Sequence, residues 1–179
     1  MSPVCHLGPV PSRVTIALEQ TLGEDITPEA KAKMSIQVYL DTPRVRLHWD
    51  SEARWIYIGY GEWPTTAEVK TGIDACLLAL REHRATRCLS DSRKRRVVQP
   101  EAQQLLVEGW LPQAAALGLK RLAIVLPASQ VALSTVESLL PAYRAHLETE
   151  SFATLEEAAV WLSADSPVPV APPLVAPPA

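Results

Sequence analysis

The order of secondary-structure patterns between residues 34 and 162 constrains the fold of this chain more than any other feature. Three successive segments, 36–40, 45–49 and 55–60, have the alternating or β-branched and aromatic pattern of strands. Helical and strand patterns then alternate to residue 162. We therefore predict an α/β fold with a mixed sheet, in which three N-terminal strands precede alternating helices and strands, with about four helices in all.

Two capping boxes mark where the first and the last of these helices begin. Each places a threonine three residues before a glutamate, Thr65 before Glu68 and Thr154 before Glu157. This spacing lets the two side chains satisfy backbone N–H groups of the first helical turn. A further helix is predicted over 129–140.

Proline and glycine set the limits of the second predicted helix. Pro100 suits the first helical turn, and Gly118 is expected to end the helix. Pro112 lies inside it and should bend or interrupt it. The apolar run 122–126 predicts a strand covered on both faces, and a short edge strand is expected near 145–150.

The two ends of the chain differ from this central part. We predict a domain over 34–163, preceded by a partly disordered N-terminal extension, 1–33, with a short strand at 13–18. We hypothesise that Met34 is the natural start. Residues 164–179 are predicted to form a disordered tail, because six prolines fall between 167 and 179.

Composition and motifs argue against several classes of protein. Apolar stretches are broken by charges or prolines, so no membrane span is expected, and the N-terminus lacks the pattern of a signal peptide. A cytoplasmic location is predicted. The three cysteines and four histidines have no metal-ligand spacing, and no glycine-rich phosphate loop is present. We predict neither a metal nor a cofactor, and we expect Cys76 and Cys88 to be buried as small apolar side chains.

Charge is distributed unevenly along the chain. Between residues 81 and 96, seven Lys and Arg stand against two acidic residues, a local charge of +5 (7 − 2), so the remainder carries −8 (−3 − 5). Nucleic-acid binding is not expected, because no aromatic stacking platform accompanies the basic run 93–96. Trp49, Trp110 and Trp161 lie at buried positions of predicted elements, whereas Trp63 follows a strand end and should be exposed.

Part of the sequence resembles a known family. The residues that carry the resemblance are Trp110-Leu111-Pro112, Gly118-Leu119-Lys120-Arg121-Leu122-Ala123-Ile124-Val125-Leu126-Pro127, Phe152 and Leu155-Glu156-Glu157-Ala158-Ala159-Val160-Trp161-Leu162. They resemble uncharacterised bacterial STAS-like proteins, where STAS denotes the sulfate-transporter and anti-sigma-factor-antagonist domain. Some relatives are grouped with lipid-binding CRAL-TRIO-type domains. The resemblance covers about residues 35–162.

The resemblance implies a small α/β switch module without enzymatic activity. The antagonist proteins of this family bind a partner kinase and are phosphorylated on a serine at a strand-to-helix junction. The matching positions here are Ser90 and Ser92. The compact Asp-Ser-Ser-Gly turn of the antagonists is absent, and the basic run 93–96 lengthens the junction. A protein partner is expected, and the resemblance leaves a homodimer open.

The same junction is our predicted binding site. Three strand ends, 61–63, 91–93 and 127–129, are expected to meet at one rim, beside the N-termini of the second and third helices. An anionic ligand or a phosphorylated partner would bind there. The predicted contact residues are Asp91, Arg93, Arg95, Arg96 and Trp63.

Three other interpretations stay open from sequence. The first is that the basic run is a solvent-exposed loop whose charges aid solubility, with Ser90 and Asp91 only ending a strand through local hydrogen bonds. A lipid or small-molecule carrier would need an apolar pocket between sheet and helices. An enzyme would need Asp91, Ser92 and Arg93 to face Glu62 in one cleft, and no catalytic motif supports it.

Overall fold

The computed structural model describes residues 35–164. The predicted extension 1–33, including its short strand at 13–18, lies outside the described residues. So do the hypothesised start at Met34 and residues 165–179 of the predicted tail.

One six-stranded sheet forms the centre of the molecule, with its strands in chain order from one edge to the other. The first three strands are antiparallel, and the third to the sixth run parallel to one another. The predicted fold class is confirmed. The strands are β1 Ile36–Asp41, β2 Val45–Asp50, β3 Trp55–Tyr60, β4 Arg87–Asp91, β5 Arg121–Val125 and β6 Glu148–Phe152.

Four helical segments connect or follow these strands, as predicted. They are α1 Thr66–His83; α2, which consists of α-helix Pro100–Gln104, π-helix Leu105–Trp110 and α-helix Leu111–Ala116; α3 Gln130–Arg144; and α4 Leu155–Ser163. Both predicted capping boxes are present, one at the start of α1 and one at the start of α4. None of these helices is both long and apolar enough to traverse a lipid bilayer.

The predicted disturbance near Pro112 takes the form of a π-helical turn. Pro112 has no N–H group to donate to the carbonyl four residues earlier, so the regular α-helical pattern cannot continue through it. The backbone N–H of Leu111 instead bonds the carbonyl of Leu106, five residues back. The segment ends at Ala116, and Gly118 follows two residues later with a φ of +99°, in the left-handed region that glycine adopts without strain.

The predicted end of α3 at residue 140 is wrong. The helix continues through Pro141 to Arg144. The added turn places Tyr143 in the core, where its ring meets the ring of Trp110 edge-on at 6.4 Å between centroids. Burial of this aromatic side chain outweighs the helix-breaking tendency of the proline. The last edge strand is shifted accordingly and runs over Glu148–Phe152.

The helices cover the two faces of the sheet unequally. α1, α2 and α3 pack on one face and form the larger hydrophobic core. α4 packs on the other face, against β4, β5 and β6. Trp49, Trp110 and Trp161 are buried and Trp63 is 59% exposed, as predicted.

Candidate functional site

The loop after β4 joins three neighbouring strand ends. The N–H of Ser92 donates to the carbonyl of Val125 at the end of β5 (3.0 Å), and the N–H of Arg96 donates to the carbonyl of Glu62 after β3 (2.9 Å). The Ser129 hydroxyl, before α3, donates to the carbonyl of Arg96 (3.0 Å). The predicted rim is therefore assembled by direct hydrogen bonds.

The basic run of this loop is divided between solvent and interior. The side chains of Arg93 and Arg96 are 47% and 52% exposed, whereas Arg95 is 3% exposed. The backbone forms a turn here, in which the N–H of Arg95 donates to the carbonyl of Ser92 (2.8 Å), and the side chain of Arg95 lies inside. The interpretation of the whole run as an exposed loop is thus wrong for Arg95.

Arg95 is buried without a carboxylate. Its guanidinium carbon lies 4.3 Å from the centroid of the Tyr60 ring, a cation–π arrangement, and its Nε donates to the carbonyl of Val97 (3.3 Å). Within residues 35–164, no Asp or Glu forms an ion pair with it. Burial lowers the pKa of Arg95 from its ordinary value, because the charged form loses its water.

Arg95 borders a cavity between the sheet and the three helices of the larger core. The space open to the centre of a water molecule is about 40 Å³. This exceeds the ~10–15 Å³ that a single water needs. We call this cavity the Arg95 pocket; its walls include Ile58, Tyr60, Ile73, Cys76, Cys88, Ser90, Ser92, Leu106, Trp110, Val136 and Tyr143.

Arg95 is the sole ionised side chain among the described residues that line the pocket. Two tyrosines accompany it, and burial raises the pKa of Tyr60 to about 12 and also raises that of Tyr143. Both phenols therefore stay protonated and keep an O–H to donate at neutral pH. Ser90 and Ser92 add two more hydroxyl groups to the wall.

Two free thiols complete one wall of the pocket. Cys76 on α1 and Cys88 on β4 are buried, as predicted. Their mutual hydrogen bond lowers the pKa of Cys76 and raises that of Cys88. The arrangement contributes soft, apolar surface beside the single guanidinium.

Asp91 lies on the opposite face of the sheet. Its carboxylate accepts a hydrogen bond from the Tyr57 hydroxyl (2.9 Å) and two from the Arg93 side chain (both 3.0 Å). Burial by itself would raise the pKa of Asp91, but the bonds from Arg93 and Tyr57 outweigh it and hold the pKa below its ordinary value. These bonds hold the Arg93 side chain at the end of β4.

The four side chains that an enzymatic cleft would require do not converge. Asp91 and Ser92 are adjacent in the chain and point to opposite faces of the sheet, since Ser92 lines the Arg95 pocket. Glu62 lies 3.8 Å from the Nη2 atom of Arg96 at the rim. The structure thus brings Ser90, Ser92 and Arg95 together and keeps the remaining predicted contact residues apart from them.

Sequence reasoning missed Tyr60 and Tyr143 as parts of the site. Alternation along β3 could have indicated Tyr60, because it shares a face with Ile56 and Ile58. Tyr143 fell outside the helix predicted to end at residue 140. The remaining predicted contact, Trp63, contributes its backbone carbonyl, which accepts a hydrogen bond from Arg44 (3.3 Å).

Comparison with protein-family models, with curated proteins and with solved structures finds no match to this chain. The STAS-like resemblance accordingly stays a prediction.

Proposed function

We propose that the protein is a non-enzymatic regulatory module of the STAS-like type that responds to a small anionic ligand bound in the Arg95 pocket. Its output would be the binding of a protein partner or of a second copy, in the cytoplasm. The observation that carries the proposal is the buried guanidinium of Arg95, which has no carboxylate partner among residues 35–164.

The energetics of burial support a ligand here. An arginine removed from water costs several kcal/mol unless a counter-charge and hydrogen-bond acceptors replace the lost hydration. The Tyr60 ring and one backbone carbonyl compensate only part of this cost. If packing were the only role of Arg95, an apolar side chain could fill the same space without the cost of desolvation. We therefore infer that Arg95 recognises an anion.

The position of the pocket supports coupling to the rim. Arg95 and Arg96 are neighbours in one loop, and the backbone of Arg96 bonds both Glu62 and Ser129. A ligand that pulls on the guanidinium of Arg95 would therefore shift the exposed surface formed by these residues. This link gives a buried ligand a route to a partner that contacts the rim.

Phosphorylation provides a related form of the same switch. Ser92 is 3% exposed and lines the pocket, and Ser90 lines it as well. A phosphoryl group on either serine would introduce negative charge beside Arg95. A kinase would reach these hydroxyls only after the loop opens, which would couple phosphorylation to loop movement.

A small-molecule carrier is the second function that a specific observation favours. Most of the pocket wall is apolar and is supplied by β3, β4, β5 and three helices. This composition is typical of sites that enclose the apolar part of a ligand. The volume of about 40 Å³ restricts such a cargo to a compact molecule, so a long acyl chain would require the helices to separate.

Native mass spectrometry of the gently purified full chain tests the proposal. We expect a bound small molecule, or a phosphoryl group on Ser90 or Ser92, and we expect the bound mass to be absent from an Arg95→Met variant. Arg93→Met is the matched control, because Arg93 lies in the same loop but outside the pocket. Loss of the bound mass from both variants, or from neither, would contradict the proposal.

A further inference from the structure

We propose that the ligand of the Arg95 pocket is a monocarboxylate with a compact apolar body. The inference rests on the proposed function, since it specifies the chemical class of the anion. Charge, hydrogen-bonding geometry and volume each restrict the ligand, and the three restrictions agree.

The charge balance of the pocket favours a single negative charge. Arg95 supplies one positive charge, and no second Lys or Arg lines the pocket within the described residues. A monoanion would leave the buried site neutral. A phosphate dianion would leave an uncompensated negative charge among apolar side chains, and removing it from water would be unfavourable.

The hydrogen-bonding groups match a carboxylate. A guanidinium presents paired N–H donors in a plane, and this geometry fits the two oxygens of a carboxylate. Because Val97 accepts from Nε, the two Nη groups are the donors left for the anion. The protonated phenol of Tyr143 and the hydroxyl of Ser92 supply additional donors at the wall.

Volume and lining define the remainder of the ligand. Most of the other side chains that line the pocket are apolar, among them Ile73, Leu106 and Val136. They would exclude water around a hydrocarbon group and favour it over a polar one. A body of one or two carbon atoms matches the space of about 40 Å³, whereas a ring, which fits cavities of about 150 Å³, and an extended chain do not.

Isothermal titration calorimetry of the full chain tests the inference with four probes: acetate, acetamide, benzoate and methyl phosphate. Acetate and acetamide share their methyl group and differ in charge, and acetate and benzoate share their charge and differ in size. We expect acetate to bind at least about tenfold more tightly than each of the other three.

Three variants locate the binding. Arg95→Met should abolish acetate binding, Arg95→Lys should weaken it by about tenfold because the planar fork is lost, and Arg93→Met should leave it unchanged. Thermal unfolding of each variant establishes that it is folded. Should Arg95→Met fail to fold, Arg95→Lys carries the test by itself.

The outcomes separate this inference from the proposed function. Tighter binding of methyl phosphate, with the same dependence on Arg95, would overturn the monocarboxylate while anion binding stands. Equal binding of acetate and acetamide would overturn both and leave the carrier function. If none of the probes binds, the inference and the proposed anion response are both wrong.

Discussion

The guanidinium carbon of Arg95 lies 4.3 Å from the centroid of the Tyr60 ring, and no carboxylate within residues 35–164 pairs with it. This relationship sets a positive charge inside the larger core at the carboxyl ends of the parallel strands. It distinguishes Arg95 from Arg93 and Arg96, which lie in the same loop, are about half exposed and pair with Asp91 and Glu62.

Replacing Arg95 by methionine should not destabilise the ligand-free protein. The apolar side chain fills similar space and removes the cost of burying an unpaired charge, so we expect the free energy of unfolding to rise by about 1–2 kcal/mol. Urea unfolding of the two proteins measures the difference. If the free energy of unfolding instead falls by a similar amount in the variant, Arg95 is a structural residue, which would contradict a role in ligand recognition.

The Asp91 carboxylate should stabilise the fold in a pH-dependent way. Asp91→Asn removes the charge that binds Arg93 and Tyr57, and we expect the free energy of unfolding to fall by about 1–2 kcal/mol at pH 7. The decrease is no larger because Arg93 is half exposed and water weakens its pairing with Asp91. Asp74→Asn is the control. Its partner Lys70 is exposed, as Asp74 is, so the loss should be below about 0.5 kcal/mol.

The direction of the pH effect follows from the lowered pKa of Asp91. The folded state binds this proton less tightly than the unfolded state, so the stabilisation is present above about pH 4 and disappears as the pH falls through the folded-state value. The free energies of unfolding of the native protein and of Asp91→Asn, measured in urea across this range, should therefore converge at low pH. A constant difference between the two curves would contradict the assignment.

The end of α2 should depend on the backbone freedom of Gly118. Its φ of +99° is strained for a residue with a Cβ atom, so Gly118→Ala should cost about 1–2 kcal/mol. Gly109→Ala is a matched control in the same helical segment. Nothing lies within 4 Å of a Cβ atom there, so alanine should be neutral or stabilising. Thermal unfolding compares the two, and equal effects would contradict the prediction.

A carboxylate built into the pocket should compete with the ligand. Ser92→Asp places a negative charge on the wall shared with Arg95, so we expect acetate to bind at least about tenfold more weakly. Ser92→Ala, which lacks the charge, should change binding by less than about threefold. Calorimetric titration of both variants provides the comparison. If the Ser92→Asp variant binds the ligand as tightly as the native protein does, Ser92 does not lie at the anion site.

Much of this fold could be predicted from the sequence because local signals agree with the tertiary structure. The two capping boxes, the strand alternation and Gly118 each specify their own backbone geometry. The extension of α3 past Pro141 could not be predicted in the same way. It depends on the burial of Tyr143 against Trp110, which are far apart in the sequence.

The site was predicted less completely than the fold. The rim was expected because the carboxyl ends of parallel strands lie together. The backbone hydrogen bonds of the loop after β4 confirm that the ends of β3, β4 and β5 meet. Nothing in the run Arg93-Lys94-Arg95-Arg96 indicates which side chain turns inward. That outcome depends on a space that β3, β4 and three helices create only when packed together.

The most direct test of the central claim is a nuclear magnetic resonance titration that observes the side-chain Nε–H group of Arg95. Its resonance would be assigned by its absence from the Arg95→Met variant. We predict that acetate shifts this resonance saturably and that acetamide does not. A resonance that stays unmoved at high acetate concentration, or that moves equally with acetamide, would contradict an anion site at Arg95.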